Sequence, residues 1–226
     1  MAEYEYRHFT NPFHRSEIKS AAVNIIEYAR EHGIRTIVAA GPSAESPVRF
    51  IRALWKKLYP GEEQPKIHEL GHALSEFERE KEEGHYDTRE VKEKPRDWEE
   101  KITSSAKREL EEKHSDLLKR MHEPILLFDE YAETGGSINS VGEFFVKKLG
   151  AKNIHAAVLV ANGGEFEVAT GKKFGGFSCD FAGRDVGTNR VPGNVVYLNK
   201  GHDRGWSEKN KRMWFDFAKM LGEFKK

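Results

Sequence analysis

Three short, almost unbroken apolar runs decide what this chain can fold into: IRTIVAA at 34–40, ILLF at 125–128 and NIHAAVLVA at 153–161. Each is too brief for a helix that buries apolar groups all round, and none alternates strictly with polar residues as a half-exposed strand does. Between them lie stretches with the helical period. At 16–32, Ile18, Ala21, Ala22, Ile25, Ile26 and Ala29 recur at three- and four-residue steps, and Gly33 follows where a left-handed cap belongs. Val48, Ile51, Leu54, Trp55 and Leu58 form a second such face, stopped by Pro60-Gly61. Ile138, Val141, Phe144, Phe145 and Leu149 form a third, stopped by Gly150, and a last helix carries Met213, Trp214, Phe217, Met220 and Leu221. Short strands are also expected at 65–70 (PKIHEL) and 194–199 (NVVYLN). Strands that are apolar on both faces and alternate with helices build an open, mostly parallel sheet covered on both sides, so the expected class is α/β.

The 226 residues are enough for one sizeable core. A single domain over 1–226 is expected, with its core at about 34–162. From 75 to 121 the sequence is mostly charge of both signs, which fits two solvated helical pieces joined around Gly84 and Pro95, the second at about 97–121. An excursion from the core is the other reading of this insertion. As helices it would serve as a solvated face, a lid or an oligomer contact, which leaves a homo-oligomer open. The stretch 163–193, rich in glycine and aromatics, reads as irregular structure beside the sheet, and 163–226 as the irregular and C-terminal region.

Lysine plus arginine (37) equals aspartate plus glutamate (37), which argues against a general nucleic-acid or anionic-membrane binder. The single cysteine, Cys179, excludes an internal disulfide and a multi-cysteine zinc site and fits a reducing compartment. No apolar run approaches the ~20 residues of a membrane helix. The opening MAEYEYRHFT is polar and acidic and does not read as a signal peptide, so a cytoplasmic location is expected.

The second apolar run carries the chemistry. ILLF is followed by Asp129 and Glu130, then by Tyr131, Ala132, Glu133, Thr134, Gly135, Gly136 and Ser137, where the third helix begins. Ligands of parallel sheets gather at the carboxyl ends of the strands. A turn of small and hydroxyl residues at a helix start offers free N–H groups to a phosphate. Adjacent carboxylates would repel that phosphate, so their useful place is beside it, accepting hydrogen bonds from sugar hydroxyls or ordering a magnesium shell.

These thirteen residues, 125–137, resemble the phosphoribosyl pyrophosphate (PRPP) signature of the type I phosphoribosyltransferases: four apolar strand residues, two acids, then Thr-Gly-x-Ser/Thr. The resemblance implies a Rossmann-like fold with a hood region and an Mg2+-dependent glycosyltransferase of nucleotide metabolism. Its partners would be PRPP and a nitrogenous base whose identity stays open. It further implies that Asp129 and Glu130 bind the ribose hydroxyls and that Glu133, Thr134, Gly135, Gly136 and Ser137 wrap the 5′-phosphate. The pyrophosphate would lie on Gly41, Pro42, Ser43 and Ala44, after the first core strand. Magnesium would be held mainly through the substrate. The family's second acid is usually aspartate, where this chain has Glu130, one methylene longer. Glu133 stands where the 6-oxopurine members carry an aspartate acting as acid or base, so it is the candidate catalytic residue, with helix capping as its plainer role. Phe174, Phe177 and Trp206 are available to stack on the base.

Other readings stand beside this one. The Thr-Gly-Gly-Ser turn would also cap an ordinary helix. A regulator on the same fold would bind PRPP or a nucleotide without transferring anything. HELGH at 68–72 matches the H-E-x-x-H pattern of zincin metallopeptidases, in which His68 and His72 on one helix face bind zinc and Glu69 activates water. Pro65, three residues upstream, leaves little helix before His68, so a strand with ordinary histidines is preferred there. His202, Asp203 and Arg204 in KGHDRGW read first as a solvated turn.

Overall fold

The apolar runs lie side by side. In the computed structural model, which describes residues 5–6, 9–70, 98–132, 136–161, 173–174, 177–178, 184–185 and 206–224, four parallel strands stand in the order β2-β1-β3-β4. They are β1 (Thr36–Ala39), β2 (Lys66–Glu69), β3 (Pro124–Ala132) and β4 (Asn153–Ala161). A two-residue strand, Arg184–Asp185, extends the sheet beyond β4, and Lys173–Phe174 pairs antiparallel with Phe177–Ser178 as a separate hairpin. The helices are α1 (Pro12–Glu31), α2 (Glu45–Leu58), α3 (Trp98–Lys113), α4 (Ser115–Leu118), α5 (Gly136–Leu149) and α6 (Trp206–Glu223). The α/β class follows directly from this architecture. No described helix is long and apolar enough to cross a membrane.

Alternation along the strands divides the core into two layers. Leu126, Phe128, Ala157 and Leu159 pack with the apolar faces of α1, α2 and α6. Ile125, Leu127, Ala156 and Val158 pack on the other side with α5 and with Ala106, Leu110, Leu117 and Met121. A fully buried side chain of this size contributes about 1.5–3 kcal/mol. Aromatics anchor the first layer: Phe217 of α6 lies between Phe50 of α2, stacked at 4.8 Å, and Phe9, at 5.0 Å.

Helix α1 starts four residues ahead of its apolar period, because Pro12 opens the first turn and Asn11 Oδ1 accepts the Phe13 N–H at 2.9 Å. Gly33 (φ 63°) and Gly150 (φ 72°) end α1 and α5 in the left-handed region, as their places in the sequence indicated. The charged segment departs from expectation. It is not one helix over 97–121 but α3 and the short α4, broken at His114. Nor is this part an excursion, since the stripe Ala106, Leu110, Leu117 and Met121 docks it on the second core layer. The first expected piece, up to residue 97, and the strand expected at 194–199 lie outside the described residues.

Candidate functional site at the end of β1 and β3

From β1 the chain crosses through α2 to β2 on one side, whereas β3 pairs with β1 on the other. The loops leaving β1 and β3 therefore diverge, and a crevice between such loops is where open parallel sheets bind ligands. The two turns singled out in the sequence, at 41–44 and 133–137, leave these two strands at the same end of the sheet. After Ala39, the Ala40 N–H donates to Phe128 O at 2.8 Å, and the chain then turns through Gly41 and the 3-10 turn Pro42–Ala44 into α2. Nothing nearer than Ser43 Oγ, at 3.8 Å, would meet a Cβ on Gly41, so packing alone does not require glycine there.

Strand β3 corrects the sequence reading. It does not stop at Phe128 but continues through both acids to Ala132. Beyond Phe128 it has outrun β1, and residues 129–132 pair with β4 alone, Asp129 opposite Val158 and Tyr131 opposite Val160. Because both acids are strand residues, their side chains point to opposite faces. Asp129 lies on the Leu127 and Val158 side, and Glu130 on the Phe128 side, under the layer formed by α1, α2 and α6. The acids are therefore not a pair converging from one surface.

Both carboxylates are buried, Asp129 at 8% exposure and Glu130 at 2%. The Glu130 N–H donates to Asp129 Oδ1 at 2.9 Å. Neither oxygen of the Glu130 carboxylate has a hydrogen-bond partner among the described residues. Buried polar atoms are almost always paired, and an uncompensated buried charge costs several kcal/mol.

The two helix starts differ as anion sites. Helix α5 opens at Gly136 and Ser137 with no acid in its first turn. Helix α2 carries Glu45 in its first turn, has no side-chain cap, and loses one free N–H to Pro47. Of the two helix starts, that of α5 is thus free of acids in its first turn, whereas the one after Gly41, Pro42, Ser43 and Ala44 carries Glu45. Glu133, Thr134 and Gly135 lie outside the described residues, as do His72, Cys179, His202, Asp203 and Arg204. Phe174 and Phe177 fall in the antiparallel hairpin and Trp206 opens α6.

Two arrangements at β2 were not foreseen. Arg49 of α2 grips Glu69 with two hydrogen bonds, at 2.6 and 2.5 Å, tying α2 to the end of β2, and this contact raises the Arg49 pKa. His68 is buried at 3% exposure, with its Nδ1 3.4 Å from His114 Nδ1 and its Nε2 3.9 Å from Asp116 Oδ2. Burial, then the charges of His114, Lys66 and Arg120, push its pKa down to about 4. No local sequence signal links residues 20 or 46 positions apart, and the packing of α2 and of the α3–α4 break against β2 is what joins them. The preferred strand reading of KIHEL holds over Lys66–Glu69. The helix that the zinc motif requires is therefore absent at His68 and Glu69, and Glu69 is engaged by Arg49. Among the described residues no group of three or more His, Cys, Asp or Glu is placed to hold a metal ion.

No protein-family model matches this chain, and neither does any curated protein or solved structure.

Proposed function

We propose that the chain is a phosphoribosyltransferase that takes Mg-PRPP and transfers its phosphoribosyl group to a nitrogenous base, releasing pyrophosphate. The observation that carries this reading is Glu130: a carboxylate at 2% exposure, without a donor among the described residues, at the carboxyl end of the central strand β3. Two free acceptor oxygens suit a sugar diol, whose hydroxyls are donors placed side by side. The start of α5, free of acids in its first turn, favours the 5′-phosphate on the adjacent turn. The motif at 125–137 supplies both features in the order this substrate needs.

The carboxylate chemistry also fits a hard divalent cation, and magnesium bound to pyrophosphate would supply charge neutralisation of the leaving group. Within the protein, Glu130, on the Phe128 face of β3, would hold the ribose, and the start of α5, which packs on the opposite face, would take the phosphate around the end of the strand, so C1 is presented to the base with its position fixed. Orientation of this kind supplies a large share of the rate in such displacements. With the ribose held there, the carboxylate would help to offset the positive charge that develops on the ring as the C1–pyrophosphate bond lengthens.

Calorimetric titration with PRPP, with and without magnesium, tests the reading on metal-analysed protein. Magnesium-dependent binding that is lost in Glu130→Gln is the expected result. Absence of binding under both conditions would refute it. Pyrophosphate release over a panel of bases then distinguishes transfer from binding alone.

A further inference from the structure

We infer that the two adjacent acids do different work: Glu130 is the carboxylate that meets the ribose, while Asp129 is a positioning residue that holds the Glu130 backbone in place. This rests on the reading of the site as a ribose phosphate site. It departs from treating the acids as an equivalent pair.

The argument starts from the strand. Phe128 O accepts the Ala40 N–H, so the Phe128 peptide groups face β1. Two residues on, the Glu130 N–H faces the same edge, but β1 is no longer paired there. A buried N–H left without a partner is costly, and sheets normally supply one from the neighbouring strand. Here Asp129 supplies it instead, through Oδ1 at 2.9 Å. That bond uses one Asp129 oxygen and keeps β3 extended past the end of β1. Side-chain alternation turns Asp129 to the α5 face and leaves Glu130 on the other, with both of its oxygens unpartnered among the described residues. The longer glutamate is thus the acid whose acceptors are free, and the shorter aspartate has the reach to bond the next peptide.

Four variants separate these roles: Asp129→Asn, Asp129→Ala, Glu130→Gln and Glu130→Met. Each is titrated calorimetrically with ribose 5-phosphate and with PRPP plus magnesium, and each is melted without ligand. Glu130→Gln should weaken both ligands by roughly tenfold or more, since a charged acceptor is lost. It should not lower Tm, and Glu130→Met should raise Tm by removing a buried unpartnered carboxylate. Asp129→Asn keeps an acceptor oxygen and should weaken binding by no more than about threefold, whereas Asp129→Ala should lower Tm and weaken binding about tenfold.

A loss in Asp129→Asn as large as in Glu130→Gln, at unchanged Tm, would show that Asp129 also touches the ligand, overturning the division while leaving the functional reading intact. Equal melting of Asp129→Asn and Asp129→Ala, both below wild type, would overturn the positioning role. Failure of the wild type to bind either ligand would overturn the functional reading and the role of Glu130 with it.

Discussion

Lowering the pH from 6.5 to 4 should cost the fold about 3 kcal/mol through His68 alone. This histidine is buried on β2, and its pKa falls from 6.5 to about 4, chiefly through burial. The groups around it are His114, Lys66, Arg120 and Asp116, the last paired with Lys66. Between the two pKa values the unfolded chain carries the proton and the folded chain does not. The unfolded state then binds more protons, so stability falls as pH falls through this window and levels off below about 4. At about 1.4 kcal/mol per unit, the gap gives the stated size. Burial also lowers the pKa of His114, which adds a loss of the same sign. The assay is urea denaturation in steps from pH 7.5 to 4, comparing wild type with His68→Gln, which keeps a hydrogen-bonding head but does not titrate. The variant should lose about 3 kcal/mol less than wild type across this range. Parallel losses in the two proteins would refute the assignment of His68 as a neutral, buried strand residue.

Two further perturbations test the packing. Phe50→Ala should destabilise by about 3–5 kcal/mol in denaturant titrations, because Phe50 is fully buried and stacks on Phe217, and a midpoint shift of a surface substitution's size would contradict the α2–α6 packing. Asp216→Ala should cost about 2 kcal/mol and speed proteolysis ahead of Asn11, because Asp216 is fully buried and accepts the Phe9 N–H at 3.0 Å. Unchanged cleavage there would show that Asp216 does not hold the N-terminal segment.

Much of the fold was legible in the residues. The run at 153–161 matches β4 end for end, and Gly33 and Gly150 mark helix ends because only glycine takes a positive φ cheaply. The break at His114 was not legible, because the sequence there is mostly charged and few apolar residues, Ala106, Leu110, Leu117, Leu118 and Met121 among them, fix its path. The acids Asp129 and Glu130 could be picked out by type and spacing, since an apolar run followed by carboxylates and a glycine turn is a chemical pattern before it is a structural one.

What the sequence determined by itself was therefore the local part: the α/β class, the helix faces and caps, and the stretch from which the proposed site is built. These follow from period and backbone preference within a dozen residues. The tertiary structure decided that β3 outruns β1, that Asp129 consequently bonds the next peptide, and that Glu130 is buried without a hydrogen-bond partner among the described residues. It also decided that Arg49 meets Glu69 and His68 meets His114. Those facts depend on which strands lie side by side, where each one stops and which helices pack on them, and such packing joins residues too far apart in the chain for any local pattern to register.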